Sequence, residues 1–244
     1  MNHTNLFGVL VASIDHNDLL FEIEENMNND KSVTISYVTA NSLNLVYFKD
    51  ELVSLFNSFD IIHPDGIGAF LASKYLYGKN GLKNRFTGSD FYPKLLNLAK
   101  GKGWKLFFFG GDAKTTLLIH EKLKSIINVE TISGFDFNND IVLQKINAFN
   151  PDVLFVGLGC PLQEKWIQQN KKLLNVKTIL AVGEGLKIFA GNKKRGPKIM
   201  RILGFEWFIR LVTEPKKMWK RYLIGIPLFI FRVIKYKVSL RNSL

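Results

Sequence analysis

Residues 150–164, NPDVLFVGLGCPLQE, hold the pattern that decides the fold. Pro151 cannot continue a preceding helix, residues 153–156 are unbroken apolar sequence, and Gly157, Gly159 and Pro161 then interrupt the run before a helical stretch opens at Gln163 and Glu164. An apolar run without polar alternation is what a parallel strand needs when helices cover both of its faces. The flanking sequence repeats this unit. WKLFFFG (104–110), VETIS (129–133) and KTILAVG (177–183) are further β-rich runs, and FGVLVA (7–12), SVTISYV (32–38) and DIIH (60–63) precede them. Between them, residues 115–127 and 141–149 place apolar side chains at helical spacing. The expected fold is α/β: a Rossmann-like, mostly parallel sheet with flanking helices.

The chain has 244 residues, 47% of them hydrophobic, enough to bury one large core plus an appendage. A single cysteine, Cys160, excludes an internal disulfide, and no Cys/His cluster has zinc-ligand spacing, which suits a reducing cytosol. The first residues, MNHTNLFGVLVASID, lack the basic start and cleavage site of a signal peptide.

The net charge of +12 is distributed unevenly. Residues 1–192 carry 19 Lys/Arg against 19 Asp/Glu, whereas residues 193–244 carry 14 against Glu206 and Glu214. Composition changes at GNKKRGPK (191–198), so a catalytic domain is expected over residues 1–195 and an appendage over 196–244. In that appendage Trp, Phe, Tyr, Ile and Leu alternate with Arg and Lys. Its longest apolar run, residues 222–231, is half what a span needs and contains Pro227. The expectation is a basic amphipathic helix lying on the inner face of the plasma membrane; its alternative is a helix packed on the body with solvated lysines. Deleting residues 197–244 is expected to leave a folded, soluble body. A nucleic-acid-binding role is the competing use of so basic a tail, and the run IPLFIF (226–231) argues against it.

Ligands of open parallel sheets bind beyond the carboxyl ends of the strands. There the sequence places Thr39 and Asn41, then Asp65 and Gly66, then Gly110 and Gly111, then Gly159, Gln163 and Glu164, then Gly183. Glycines admit a ligand close to the backbone, and helix N-termini beyond them offer N–H groups to phosphate. Neither G-x-G-x-x-G nor a P-loop is present, which removes the dinucleotide fingerprint and the Walker motif. No D-x-D occurs, so no metal clamp is indicated. Asp65 reads either as a rim carboxylate or as an N-cap for a helix starting near residue 67. Arg85 reads as a pocket cation or a surface charge, Ser89 and Asp90 as caps of a helix over 91–99, and Glu164 as a cap or a ligand contact.

In order and spacing, V-T-A-N (38–41), P-D-G-I-G (64–68), R-x-T-G-S-D (85–90), the G-G turn at 110–111, N-P-D-V-L-F-V-G-L-G-x-P-x-Q-E (150–164), A-G-x-x-x-R-x-P (190–197) and G-F-E-W-x-x-R-L-x-x-E-P (204–215) resemble the WecG/TagA/CpsF glycosyltransferases over nearly the whole chain. The resemblance implies an inverting, metal-independent enzyme without a cofactor. It would move an N-acetylmannosamine-type sugar, or its uronic acid, from UDP to a polyprenyl-diphosphate-linked acceptor in cell-surface polymer synthesis. It implies Asp65 as general base, with Arg85 and Gln163 beside it. Thr39 and Asn41 would be pocket contacts, and Arg210, Lys217 and Lys220 would face the diphosphate. Lys187 stands where relatives commonly carry an acidic residue, which marks either an acidic donor sugar or drift on a surface turn. Homo-oligomerisation is left open.

Overall fold

The computed structural model describes residues 1–29, 31–193, 196–202 and 204–242. Its centre is a six-stranded parallel sheet in the order β4-β3-β8-β7-β5-β6. The strands are β3 (Val33–Val38), β4 (Ile61–Pro64), β5 (Leu106–Gly110), β6 (Val129–Ile132), β7 (Val153–Gly157) and β8 (Thr178–Ala181). Side chains alternate between two apolar clusters. Phe107, Phe109, Leu154 and Val156 point into one, and Leu106, Phe108, Val153 and Phe155 into the other. Both faces are therefore covered, which explains the unbroken apolar runs.

The remaining two strands, β1 (His3–Leu6) and β2 (Val9–Ala12), correct one expectation. They form a separate antiparallel hairpin turned at Phe7 and Gly8, both at positive φ, and it packs beside β4. Residues 7–12 are thus a turn and a hairpin strand, and the hairpin shields the sheet edge at β4.

Helices α1 (His16–Asn28), α2 (Ala40–Val46), α3 (Asp50–Asn57), α4 (Ile67–Tyr77), α5 (Gly88–Lys102), α6 (Ala113–Leu123), α7 (Asn139–Phe149), α8 (Leu162–Asn170) and the short α9 (Leu186–Phe189) surround the sheet. Several begin where the sequence supplies an acceptor. Asp15 and Asp18 form a capping box on α1, Asp112 accepts from the Thr115 N–H on α6, and Asn138 caps α7. Ser89 and Asp90 lie inside the first turn of α5 rather than ahead of it, because that helix starts at Gly88.

The C-terminal part contributes α10 (Lys198–Ile202), α11 (Glu206–Thr213), α12 (Pro215–Trp219) and α13 (Gly225–Asn242), with a π-turn at Lys220–Ile224 joining the last two. Pro227 does not interrupt this helix. It sits in the first turn of α13 just beyond the π-turn, where the regular hydrogen-bond ladder is already relaxed. One face of α13 packs on α2 and α4, with Phe229 and Val233 buried in the same apolar cluster as Val38, Phe7 and Ala72. Arg232 lies over the rings of Tyr47 and Phe48 and donates to the Asn44 carbonyl at 2.6 Å, and Lys237 donates to the Tyr75 carbonyl at 2.7 Å. The other face exposes Phe231, and the π-turn before it exposes Leu223 and Ile224. The helix is thus packed on the body, as the second alternative has it, and it also presents apolar side chains to the outside. Among the described residues, no helix is long and apolar enough to cross a membrane.

Candidate active site

The turn after β4 holds Asp65 in place through its backbone and its side chain. Its N–H donates to the Val38 carbonyl at 2.8 Å, extending the β3–β4 ladder by one residue. Gly66, at φ +84°, then donates to the Phe86 carbonyl and turns the chain into α4. Gly66, not Asp65, occupies the N-cap of α4, and no side chain caps that helix. Asp65 instead reaches across to α5, where its Oδ1 accepts the Gly88 N–H at 2.9 Å. Thr87, the N-cap of α5, is occupied elsewhere, donating its hydroxyl to Asp90. Asp65 thus supplies the acceptor that the first turn of α5 lacks, and that bond fixes its carboxyl group.

Asp65 lines a cavity of about 520 Å³ between the carboxyl ends of β3 and β4 and the C-terminal helices. Thr39, Asn41, Gly66 and Arg85 line it too, so five of the residues singled out from the sequence on the body meet there. Thr39 also caps α2 in a reciprocal pair with Ser42. Across the cavity, α11 contributes Arg210, and the π-turn contributes Arg221 and Tyr222. Lys193 completes the cationic wall, donating to the Ser89 hydroxyl at 2.8 Å; its burial, and then the nearby Arg210, hold its pKa below the usual lysine range. Sequence reading passed over Lys193 and Arg221. The Arg195 position of the A-G-x-x-x-R-x-P motif lies outside the described residues.

Lys217 and Lys220 are not on the cavity wall. Lys220 lies against the Trp219 ring, 5.5 Å from its centroid. Lys217 and Arg210 both pair with Glu184, in the turn after β8. Burial opposes the ionisation of Glu184, but Arg210 and then Lys217 outweigh it and bring its pKa to about 2. Lys187 makes a second tie between body and appendage, 3.8 Å from Glu214, and does not line the cavity. Because the folded pKa of Glu184 lies below the ordinary 4.5, the stability from this pairing is present above that value. It is lost as pH falls from about 4.5 towards 2. Glu184→Gln is expected to lower the Tm by about 2–4 °C at pH 7, taking the half-exposed pairs as about 1 kcal/mol. The difference from wild type should shrink below pH 4 in a pH series of melting curves, and a difference constant across that range would exclude the ion pair as its source.

Gln163 and Glu164 are also set back from the cavity. Both side chains are fully buried. Gln163 accepts the Gly183 N–H at 2.9 Å and donates to Glu164 at 2.8 Å, and Glu164 accepts from the Ser36 hydroxyl at 3.0 Å. Burial raises the pKa of Glu164. These groups latch the turn after β7 to the turn after β8 and to β3. Gly183, at φ +50°, has no room for a side chain, since a Cβ would come within 2.5 Å of the Tyr37 hydroxyl.

Gly110, Gly111 and Gly159 lie at a different part of the same rim. β5 leads outward to β6, whereas its neighbour β7 leads back to β8, so the winding of the sheet reverses between β5 and β7. This is the crevice where open α/β sheets bind ligands. Gly110, at φ +130°, faces the Gly157 backbone so closely that a Cβ would lie 2.5 Å from it. In strand order β8 stands between this crevice and β3, which puts Glu184, and with it Arg210 and Lys217, between the glycine turns and the Asp65 cavity.

The sequence pattern of the family described as "Glycosyl transferase WecG/TagA/CpsF family" matches residues 4–243. An N-acetylglucosaminyldiphosphoundecaprenol N-acetyl-beta-D-mannosaminyltransferase of Staphylococcus aureus (strain MRSA252) is 30% identical to this chain, covering 98% of it and 97% of the relative. The protein of the same name from strain NCTC 8325 / PS 47 is 28% identical with the same coverage. The chain belongs to the WecG/TagA/CpsF family of glycosyltransferases.

Proposed function

We propose that the protein transfers an N-acetylhexosamine, in the first instance N-acetylmannosamine, from UDP to a sugar carried on a polyprenyl diphosphate, at the cytoplasmic face of the membrane. The observation that carries this reading is the Asp65 carboxylate, anchored by the Gly88 N–H on the wall of a cavity roofed by a basic appendage. The acceptor hydroxyl oxygen attacks the anomeric carbon, the bond from that carbon to the diphosphate oxygen breaks, and UDP leaves with the bonding electrons. Asp65 takes the hydroxyl proton, and a single displacement inverts the anomeric configuration. The glycine crevice between β5 and β7 suits the nucleotide. Arg210 and Lys217, between crevice and cavity, suit the departing diphosphate, with Glu184 as the anion they hold until it arrives. No metal is assigned a role, since cations of the chain can carry that charge. Pairing of Lys187 with Glu214 favours the neutral donor sugar over the uronic acid.

The test is UDP release from UDP-N-acetylmannosamine, its uronic acid, UDP-N-acetylglucosamine and UDP-N-acetylgalactosamine, each with and without a polyprenyl-diphosphate-linked N-acetylglucosamine. Release is expected only with both substrates present, and fastest from UDP-N-acetylmannosamine. If no donor of the panel released UDP in an acceptor-dependent way, the proposed reaction would be wrong.

A further inference from the structure

The cavity is chemically two-ended. Its inner end carries Asp65, Arg85, Lys193, Arg210 and Arg221. Its outer end runs between α4 and α13 and is walled by Leu71, Tyr75, Ile226, Phe229, Ile230 and Ile234. Leu71, Tyr75, Ile230 and Ile234 are each about half exposed, so this lane opens sideways along α13. Ile224 in the preceding π-turn and Phe231 on α13 are exposed as well, which makes the lane continuous with an apolar surface. A ligand matching both ends has an anionic head joined to a long apolar chain.

We propose that the lane between α4 and α13 is a binding subsite for the head-proximal isoprene units of the acceptor, with the remaining chain passing into the bilayer. This rests on the acceptor proposed above. From Ile226 to Ile234 the helix rises about 12 Å, room for about three isoprene units. A small charged sugar diphosphate alone would leave those side chains facing water, whereas a prenyl chain removes both apolar surfaces from it at once. The lane would therefore draw the acceptor out of the bilayer by its chain and deliver its diphosphate to the cationic end.

Farnesyl diphosphate, which has three isoprene units, tests this without turnover and without membranes. In detergent-free calorimetry below its micellar concentration, it is expected to bind wild-type protein about 10²-fold tighter than methyl diphosphate. In Leu71→Asp and Ile230→Asp, both at partly exposed positions, the two affinities should converge. In Val238→Asp, on the same helix but off the cavity wall, the gap should persist. Equal affinities in wild-type protein, or a gap untouched by the lane variants, would overturn the subsite. So would displacement of farnesyl diphosphate by an equal concentration of lysophosphatidylglycerol, which would make the lane a slot for bilayer lipid. Because binding is read directly, these outcomes decide the subsite even if transfer to a polyprenyl acceptor is not found, and a found transfer does not presuppose the subsite.

Discussion

Asp65→Asn is expected to lower kcat for glycosyl transfer by about 10²–10⁴-fold, the usual contribution of a positioned general base. The substitution separates chemistry from structure because the amide oxygen of Asn can still accept the Gly88 N–H that now goes to Oδ1. Cap, turn and cavity wall are kept, and only the capacity to take a proton is removed. The melting temperature should therefore stay close to that of wild type, and KM for both substrates should change little, since ground-state contacts are preserved. Asp65→Ala should lose as much activity and in addition lose about 1 kcal/mol of stability, because the first turn of α5 then lacks its acceptor. Single-turnover measurement of UDP release, with donor and acceptor both saturating, distinguishes the chemical step from product release. An Asn variant that turns over at the wild-type rate would remove Asp65 from the base role and leave it as a helix cap supplied from a neighbouring loop.

The contrast between Asp65 and Glu164 shows how far the sequence could be read. Both are acids after a strand and close to a proline, and both belong to blocks of the family pattern. Only three-dimensional packing separates them: Asp65 stands on the cavity wall, while Glu164 lies sealed among Ser36, Gln163 and Cys160. A polar residue in a buried latch and one in a pocket look alike along the chain. The parallel sheet was legible because burial on both faces writes itself directly into runs such as residues 106–110 and 153–157. The same signal misled at residues 7–12, where apolar hairpin sequence resembles a parallel strand and the reversal rests on two positive φ angles at Phe7 and Gly8.

In the appendage the difficulty was which basic side chains reach the cavity. Lys217 and Lys220 are singled out by their place in the family pattern, which carries no helical phase. The structure breaks the helix at Glu214 and inserts a π-turn at 220–224, and it is Arg221 that lines the cavity. Lys193 escaped notice because it sits in a joint rich in Gly, Pro and Lys, where one lysine more looks like solvated charge. Its contact with Ser89 depends on folding the joint back over α5, a placement that no local pattern records.

Leu223→Asp/Phe231→Asp is expected to reduce binding to anionic vesicles by about 10²-fold or more, counting roughly 1.5–3 kcal/mol for each large apolar side chain no longer buried in lipid. Both residues are about three-fifths exposed and neither lines the cavity, so the fold and the site should survive the change. Flotation with phosphatidylglycerol vesicles, read beside a melting curve, checks both halves. Truncation before residue 197 is the blunter experiment, and the packing of α13 changes what it should give. Phe229 and Val233 belong to the core that also holds Phe7, Leu43 and Ala72, and Tyr236 packs against that core. The truncated chain should therefore melt lower and aggregate, in contrast to the soluble body expected from composition alone. Loss of vesicle binding after truncation would say little, because an uncovered core accounts for it equally well. The double variant is decisive because it alters only exposed side chains, one on the π-turn and one on the outward face of α13. Raising salt should weaken wild-type binding without abolishing it, as the lysines and arginines contribute on the order of 1 kcal/mol each near an anionic surface and the apolar contribution is not screened. If the double variant floats with vesicles as well as wild type does, the outward stripe is not the membrane face, and charge alone must hold the protein to the bilayer.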